Sequence, residues 1–86
     1  METRTRTWYA MRCDNNGRFD NGWLMDTAKT LQEAKEIIDM TNDRAEKQGY
    51  KRREYMITKV IWKQVMEHGR FKSVSKYEEA VEIYGL

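Results

Sequence analysis

The residues of this chain that could do covalent chemistry are few. One cysteine and one histidine, Cys13 and His68, could act as nucleophile and base if the fold brought them within hydrogen-bond reach. Cys13 falls in a predicted core strand and His68 at the tip of a predicted turn, so this pair does not meet the geometric requirement. With one residue of each type, the chain also lacks the sulfur and nitrogen ligands of a structural zinc site. We predict no metal.

Two acidic patterns in the sequence could also support chemistry. Segment 14–25 superficially resembles a calcium-binding loop, but Arg18 falls at a ligand position, Phe19 replaces the required glycine and Met25 replaces the closing carboxylate. Five acidic residues share one face of a predicted helix over 31–48, and without a predicted pocket they are typical of a solvated stripe. No glycine motif that cradles phosphate is present. The sequence therefore predicts a protein that is not an enzyme and uses no cofactor.

Length and composition restrict the class of protein further. A domain of 86 residues buries only about 60 to 65 % of its unfolded surface, which leaves little interior for a cofactor cavity. The single cysteine excludes an intramolecular disulfide, and the N-terminus has no apolar segment of a secretion signal. No run approaches the roughly 18 apolar residues of a membrane span. We predict one soluble, cytoplasmic α+β domain over 1–86, with no membrane association.

Two parts of the chain repeat each other in outline. The tripeptide GRF occurs at 17–19 and again at 69–71, and each copy precedes a helix-like octet, LQEAKEII at 31–38 and YEEAVEIY at 77–84. An internal repeat is a strong indicator of architecture. The two predicted units cover 7–49 and 55–86, and each reads as strand, turn, strand, helix.

The helices of both units have predicted starts. Thr30 with Glu33, and Ser75 with Glu78, have the spacing of a capping box, in which the hydroxyl accepts a backbone hydrogen bond and the glutamate returns one. Gly49 is a suitable residue to end the first helix. The predicted helices span 31–48 and 76–84.

Residues typical of turns lie next to the predicted strands of both units. Strands are predicted over 7–13, 22–25 and 55–66, with a turn at 14–17 after the first. A two-residue turn at His68 and Gly69 would place Glu67 opposite Arg70 and Met66 opposite Phe71. The predicted fold is a two-layer ββα-ββα arrangement, in which an antiparallel sheet of about four strands carries both helices on one face.

Helices on one face would leave the other face of the sheet uncovered. In the first strand, Tyr9, Met11 and Cys13 are predicted to face the core, and Arg6, Trp8 and Arg12 to face outward. In the third strand the predicted core residues are Met56, Val60, Trp62 and Met66, and the outward ones are Tyr55, Ile57, Lys59, Ile61, Lys63 and Val65. The resulting surface is basic and apolar, and its predicted partner-binding residues are Trp8, Arg12, Tyr55, Lys59, Ile61 and Lys63.

Two binding functions fit such a surface. Tryptophan, tyrosine and arginine carry much of the binding energy in protein interfaces, which favours a non-catalytic protein-binding module. The alternative is a nucleic-acid-binding module, with basic residues on phosphates and Trp8 or Tyr55 stacking on bases. The net charge of +2 counts against this alternative. The face could also be covered by the N-terminal tail, by the long connection over 17–30 or by a second copy of the chain. A second copy would make the protein a homo-oligomer, for instance a homodimer.

The order of these segments resembles a family of small proteins. Trp8 and Tyr9, then NGRF at 16–19 and TLQEAKEI at 30–37, followed by HGRF at 68–71 and KYEEAVEI at 76–83, are similar to the ββα units of accessory proteins in bacteriophages and mobile elements. Such proteins often inhibit host defence nucleases, as anti-CRISPR proteins do, or bind DNA. The resemblance implies an inhibitor in the host cytoplasm whose partner is a host protein, such as a nuclease or defence effector. It assigns no functional residue.

Overall fold

The computed structural model describes residues 2–13 and 24–86, which form an antiparallel sheet and a helix. The elements in chain order are β1 (Thr3–Cys13), β2 (Leu24–Ala28), α1 (Leu31–Lys47), β3 (Tyr55–Glu67) and β4 (Arg70–Tyr84). The sheet order is β2-β1-β3-β4, and every pair of neighbours is antiparallel. The α+β class and the four-stranded antiparallel sheet are confirmed.

Local capping interactions define both ends of α1. The hydroxyl of Thr30 accepts a hydrogen bond from the backbone N–H of Glu33 at 3.1 Å, and the Glu33 carboxylate accepts one from the N–H of Lys29 at 3.2 Å. At the other end, Gly49 adopts a φ of 89° and the N–H of Tyr50 reaches back to the carbonyl of Ala45 at 2.9 Å. This is a Schellman ending, which needs a residue that tolerates positive φ. The first predicted helix is confirmed to within one residue.

The second predicted helix is wrong, and with it the ββα-ββα arrangement. Residues 76–84 continue strand β4, which pairs with β3 along its length. The octet at 77–84 has helical spacing, but as a strand it pairs its backbone with β3, and this long-range pairing outweighs a weak local helix preference. The capping box at Ser75 and Glu78 is therefore not used. The predicted turn at 14–17, the first GRF copy and the start of the predicted strand at 22–25 lie outside the described residues.

The turn between β3 and β4 agrees with the prediction. His68 and Gly69 have φ values of 51° and 77°, the two successive positive values that a type I′ hairpin turn requires. Met66 pairs with Phe71 and Glu67 with Arg70. The turn thus sets the register in which β4 begins.

The core lies between α1 and one face of the sheet. Its buried residues are Met11, Cys13, Ala28, Ala34, Ile38, Tyr55 and Ile57. The predicted core side of β1 is confirmed, but that of β3 is inverted. Met11 pairs with Ile57 and Cys13 with Tyr55, and paired residues lie on the same face. Trp62, predicted to be buried in this core, is half-buried on the opposite face.

A buried polar side chain connects the C-terminal half of α1 to the backbone just before β3 and just after β4. Asn42 is buried, and its amide nitrogen donates to the carbonyls of Arg53 and Gly85 at 3.0 and 3.1 Å while its oxygen accepts from the N–H of Arg53 at 3.0 Å. Gly85 has a φ of 135°, and a β-carbon there would collide with the carbonyl of Arg53. Glycine is therefore required beside Asn42.

Ion pairs along one side of α1 add to this attachment. Arg52 lies 2.6 Å from Glu46, 2.9 Å from Asp43 and 3.6 Å from Asp39. The hydroxyl of Tyr84 donates to Asp39 at 2.8 Å. Part of the acidic stripe predicted as solvated thus holds α1 to the segment before β3 and to the end of β4.

Ile38→Ala should strongly destabilise the fold. Ile38 is completely buried between α1 and the sheet, and truncating such a side chain typically costs about 2 to 5 kcal/mol of unfolding free energy. Met40→Ala is the matched control, because Met40 lies on the same helix with 61 % of its surface exposed. Urea unfolding of both variants measures the difference. Equal stabilities would contradict the packing of α1 on this face.

The stability of the fold should decrease at alkaline pH. The hydrogen bond to Asp39 raises the pKa of Tyr84, and burial raises the pKa of Tyr55. The unfolded pKa is about 10, so the stabilisation by both groups is complete below that pH and is lost as pH rises through the folded values. Tyr84→Phe should weaken this dependence, whereas Tyr50→Phe, at an exposed position, should leave it unchanged. Melting temperatures measured between neutral and alkaline pH test this; an unaltered dependence in Tyr84→Phe would contradict it.

Candidate interaction surface

The sheet face opposite α1, here called the open face, carries two tryptophans and three arginines. Alternation along the strands and the observed register assign its members. The members in β1 are Arg4, Arg6, Trp8, Ala10 and Arg12, those in β3 are Met56, Thr58, Val60, Trp62, Gln64 and Met66, and those in β4 are Phe71, Ser73, Lys76, Glu78, Ala80 and Ile83.

Two tryptophans form the centre of the open face. The rings of Trp8 and Trp62 meet edge to face, with centroids 5.7 Å apart and planes inclined by 71°. Their neighbours Ala10 and Val60 are only 3 % and 1 % exposed, although α1 lies on the other side of the sheet. Small side chains beside the two tryptophans are therefore shielded from solvent on the open face.

Arginines from alternate positions of β1 surround the tryptophan pair. The guanidinium of Arg4 lies 3.6 Å from the centroid of the Phe71 ring, and its Nε donates to Gln64 at 2.7 Å. Arg12 reaches across β3 to Glu78, with 3.9 Å between nitrogen and oxygen. Arg6 lies between them and is exposed. Counted over β1, β3 and β4, this face has four basic side chains and one acidic one, a net charge of +3.

The structure divides the six predicted partner-binding residues between the two faces. Trp8 and Arg12 lie on the open face, as expected. Tyr55, Lys59, Ile61 and Lys63 lie on the side of α1, because β3 has the opposite orientation to the predicted one. Tyr55 is buried beneath the helix, whereas Lys63 is exposed beyond it. The six therefore do not form one surface.

Sequence reasoning missed most members of the open face, including Trp62, Arg4 and Phe71. Arg4 continues the alternation of Arg6 and Trp8, so extending the strand toward the N-terminus would have included it. Trp62 and Phe71 had no comparable signal. Their face depends on the pairing of β3 with β1, and β3 is apolar on both sides.

The candidate catalytic residues lie far apart. Cys13 is buried opposite the first residue of β3, where Arg53 Nη1 lies 3.4 Å from its sulfur. His68 follows the last residue of β3 and is exposed at the turn. A strand of this length separates them by about 40 Å at the usual rise of 3.3 Å per residue. Within 2–13 and 24–86, no three His, Cys, Asp or Glu residues cluster as metal ligands would.

Comparisons with known proteins identify no relative of this chain. No protein-family model matches the chain, and no curated protein or solved structure is significantly similar to it. In the described part of the chain, no helix is both long enough and apolar enough to cross a membrane. The residues of the open face are thus the main basis for a functional proposal.

The Trp8–Trp62 contact should be measurable as a coupling energy. Edge-to-face aromatic pairs contribute about 0.5 to 1.5 kcal/mol beyond the area that they bury. A double-mutant cycle of Trp8→Ala and Trp62→Ala, followed by urea unfolding, should give a coupling in this range. A cycle of Trp8→Ala with Ile61→Ala is the control, because Ile61 lies next to Trp62 but on the other face. Equal coupling in both cycles would contradict the observed orientation of β3.

Proposed function

We propose that this chain is a non-catalytic binding protein that docks its open face on a larger protein. The observation that carries the proposal is the Trp8–Trp62 pair within a row of arginines on a sheet face that no described helix covers. Tryptophan and arginine are the residues most enriched among those that dominate binding energy. A rigid sheet also presents them with little conformational entropy left to lose.

Charge defines the kind of surface that this face would bind. The open face has a net charge of +3, whereas α1 on the other side carries an acidic stripe. Complementary potentials accelerate association and orient the partners, so the matching surface is acidic around an apolar centre. The tryptophan pair would fill the apolar centre, and Arg6 would meet a carboxylate at its rim.

The role of an inhibitor is supported by the resemblance to phage accessory proteins. The resemblance now rests on the first ββα unit alone, since the second predicted unit is a hairpin. In this proposal the chain occupies a surface of a host defence or nucleic-acid-processing protein in the cytoplasm and blocks it without catalysis. Inhibition of this kind requires no catalytic group, because the chain only has to compete for a contact surface of its partner.

Single-stranded nucleic acid is the second candidate for the open face. It is favoured by Arg4, Arg6 and Trp8 at alternate positions of one strand, since basic and aromatic side chains on a sheet can bind phosphates and bases. Two contacts favour protein instead. The indoles pack against each other and are half-buried, which limits base stacking, and Arg4 and Arg12 already have partners within the sheet.

Charge reversal on one face and then on the other tests the proposal. Arg6→Glu changes the open face, and Lys63→Glu makes the same change one register position away on the opposite face. In affinity capture from bacterial lysate with mass spectrometry, we expect a protein that wild type and Lys63→Glu retain and Arg6→Glu loses. The reason is that Arg6→Glu places a negative charge against an acidic partner surface.

The same variants distinguish the two candidates. A partner retained equally by all three proteins would show that the binding surface lies elsewhere. Binding of random single-stranded DNA that weakens steeply with salt and disappears in Arg6→Glu would instead support the nucleic-acid candidate. Circular dichroism of each variant checks that the exposed substitutions leave the fold intact.

A further inference from the structure

Within residues 2–13 and 24–86, strand β4 pairs on one side only, so one edge of the sheet has no described neighbour. It is the last strand in the order β2-β1-β3-β4, and its 15 residues are exposed or half-buried throughout. Large apolar side chains are exposed along it: Val74, Tyr77, Val81 and Ile83. The chain contains no proline that would block pairing. An edge of this length can pair with a further strand through its backbone.

The charges of β4 are divided between its two halves. The basic residues Arg70, Lys72 and Lys76 precede Tyr77, and the acidic residues Glu78, Glu79 and Glu82 follow it. A strand with this pattern is complementary to itself in the antiparallel direction, because the basic half of one copy then faces the acidic half of the other. Opposite charges directly across a pair of strands are stabilising and like charges are destabilising.

We propose that two copies of this chain associate through their β4 edges, antiparallel, about a twofold axis at Tyr77. In this register Lys76 lies opposite Glu78 of the second copy, and Lys72 lies opposite Glu82. Phe71 lies opposite Ile83, which adds an apolar pair near each end. Moving the axis by one residue would place Lys76 or Glu78 opposite its own copy, so the charges select one register.

The orientation of the side chains agrees with the same register. Lys76 and Glu78 both lie on the open face, as do Phe71 and Ile83, whereas Lys72 and Glu82 both lie on the side of α1. A twofold axis perpendicular to the sheet keeps each face on its own side, so every pair joins residues of one face. The two bulges in β4, at Val74 and Val81, leave a regular segment 75–80 around the axis.

Most existing contacts of these charges are long and exposed. Glu78 lies 3.6 Å from Lys76 and 3.9 Å from Arg12 of its own chain, and Lys72 lies 3.9 Å from Glu67. Glu82 keeps a closer pair with Lys35 at 3.0 Å. Exposed pairs of this kind contribute little energy and can be exchanged for contacts between the β4 strands of the two copies, here called the seam. The dimer would join the four described strands of each copy into one sheet and would present two open faces side by side.

A charge swap tests the seam. Sedimentation velocity over a series of protein concentrations should show a dimer for wild type, and Lys76→Glu or Glu78→Lys alone should weaken it by about tenfold or more because like charges then face each other. An equimolar mixture of the two variants should form a heterodimer, since each acidic seam then meets a basic one. Misfolded chains could not restore association in this way.

The outcomes that overturn the proposal are distinct. A wild type that stays monomeric over the whole range contradicts it, as does equal dimerisation of wild type and the single variants. A dimer that Arg6→Glu disrupts and Lys76→Glu leaves intact would place the contact on the open face instead and would also overturn it. Binding of the partner in the lysate assay is a separate readout, so loss of the seam and failure of the proposed function are distinguishable.

Discussion

The antiparallel pairing of β1 with β3 is the constraint on which the rest of the structure depends. It places Met11 opposite Ile57 and Cys13 opposite Tyr55, and these two pairs form the floor on which Ile38 of α1 packs. The same register places Trp8 and Trp62 on the other face, within contact distance. A slip of one residue would turn every side chain of β3 to the opposite side, so the core and the open face are fixed by a single alignment.

The two ends of the sheet are stabilised in different ways. Near Cys13, α1 covers the sheet and Asn42 satisfies three backbone groups of Arg53 and Gly85, so helix, strand start and chain end are held together. Toward the turn at His68 the sheet has no described layer above it. Hairpin pairing and side-chain contacts such as Arg4 over Phe71 hold that half together. The described part of the molecule is accordingly elongated, measuring 53 by 22 by 18 Å.

The open face and the β4 edge suggest a division of roles. The open face gathers large apolar and basic side chains around small buried ones, an arrangement suited to a partner of different composition. The charges along β4 are complementary to those of a second, antiparallel copy of β4, so this edge is suited to self-association. Joining two edges would place two open faces in one plane. For a partner that carries two matching surfaces, binding at one face would then raise the effective concentration at the other.

The sequence by itself determined the features that depend on neighbouring residues. Thr30 and Gly49 delimit α1, His68 and Gly69 form the turn, and the alternation in β1 separates Met11 from Trp8, because each signal lies within a few residues of the structure that it specifies. Only the tertiary structure decided the state of residues 76–84 and the orientation of β3. The octet at 77–84 fits a helix or a strand, and β3 is apolar on both faces, so local preference was nearly balanced in each case. Backbone pairing between distant segments decided both, and that pairing has no local signature in the chain.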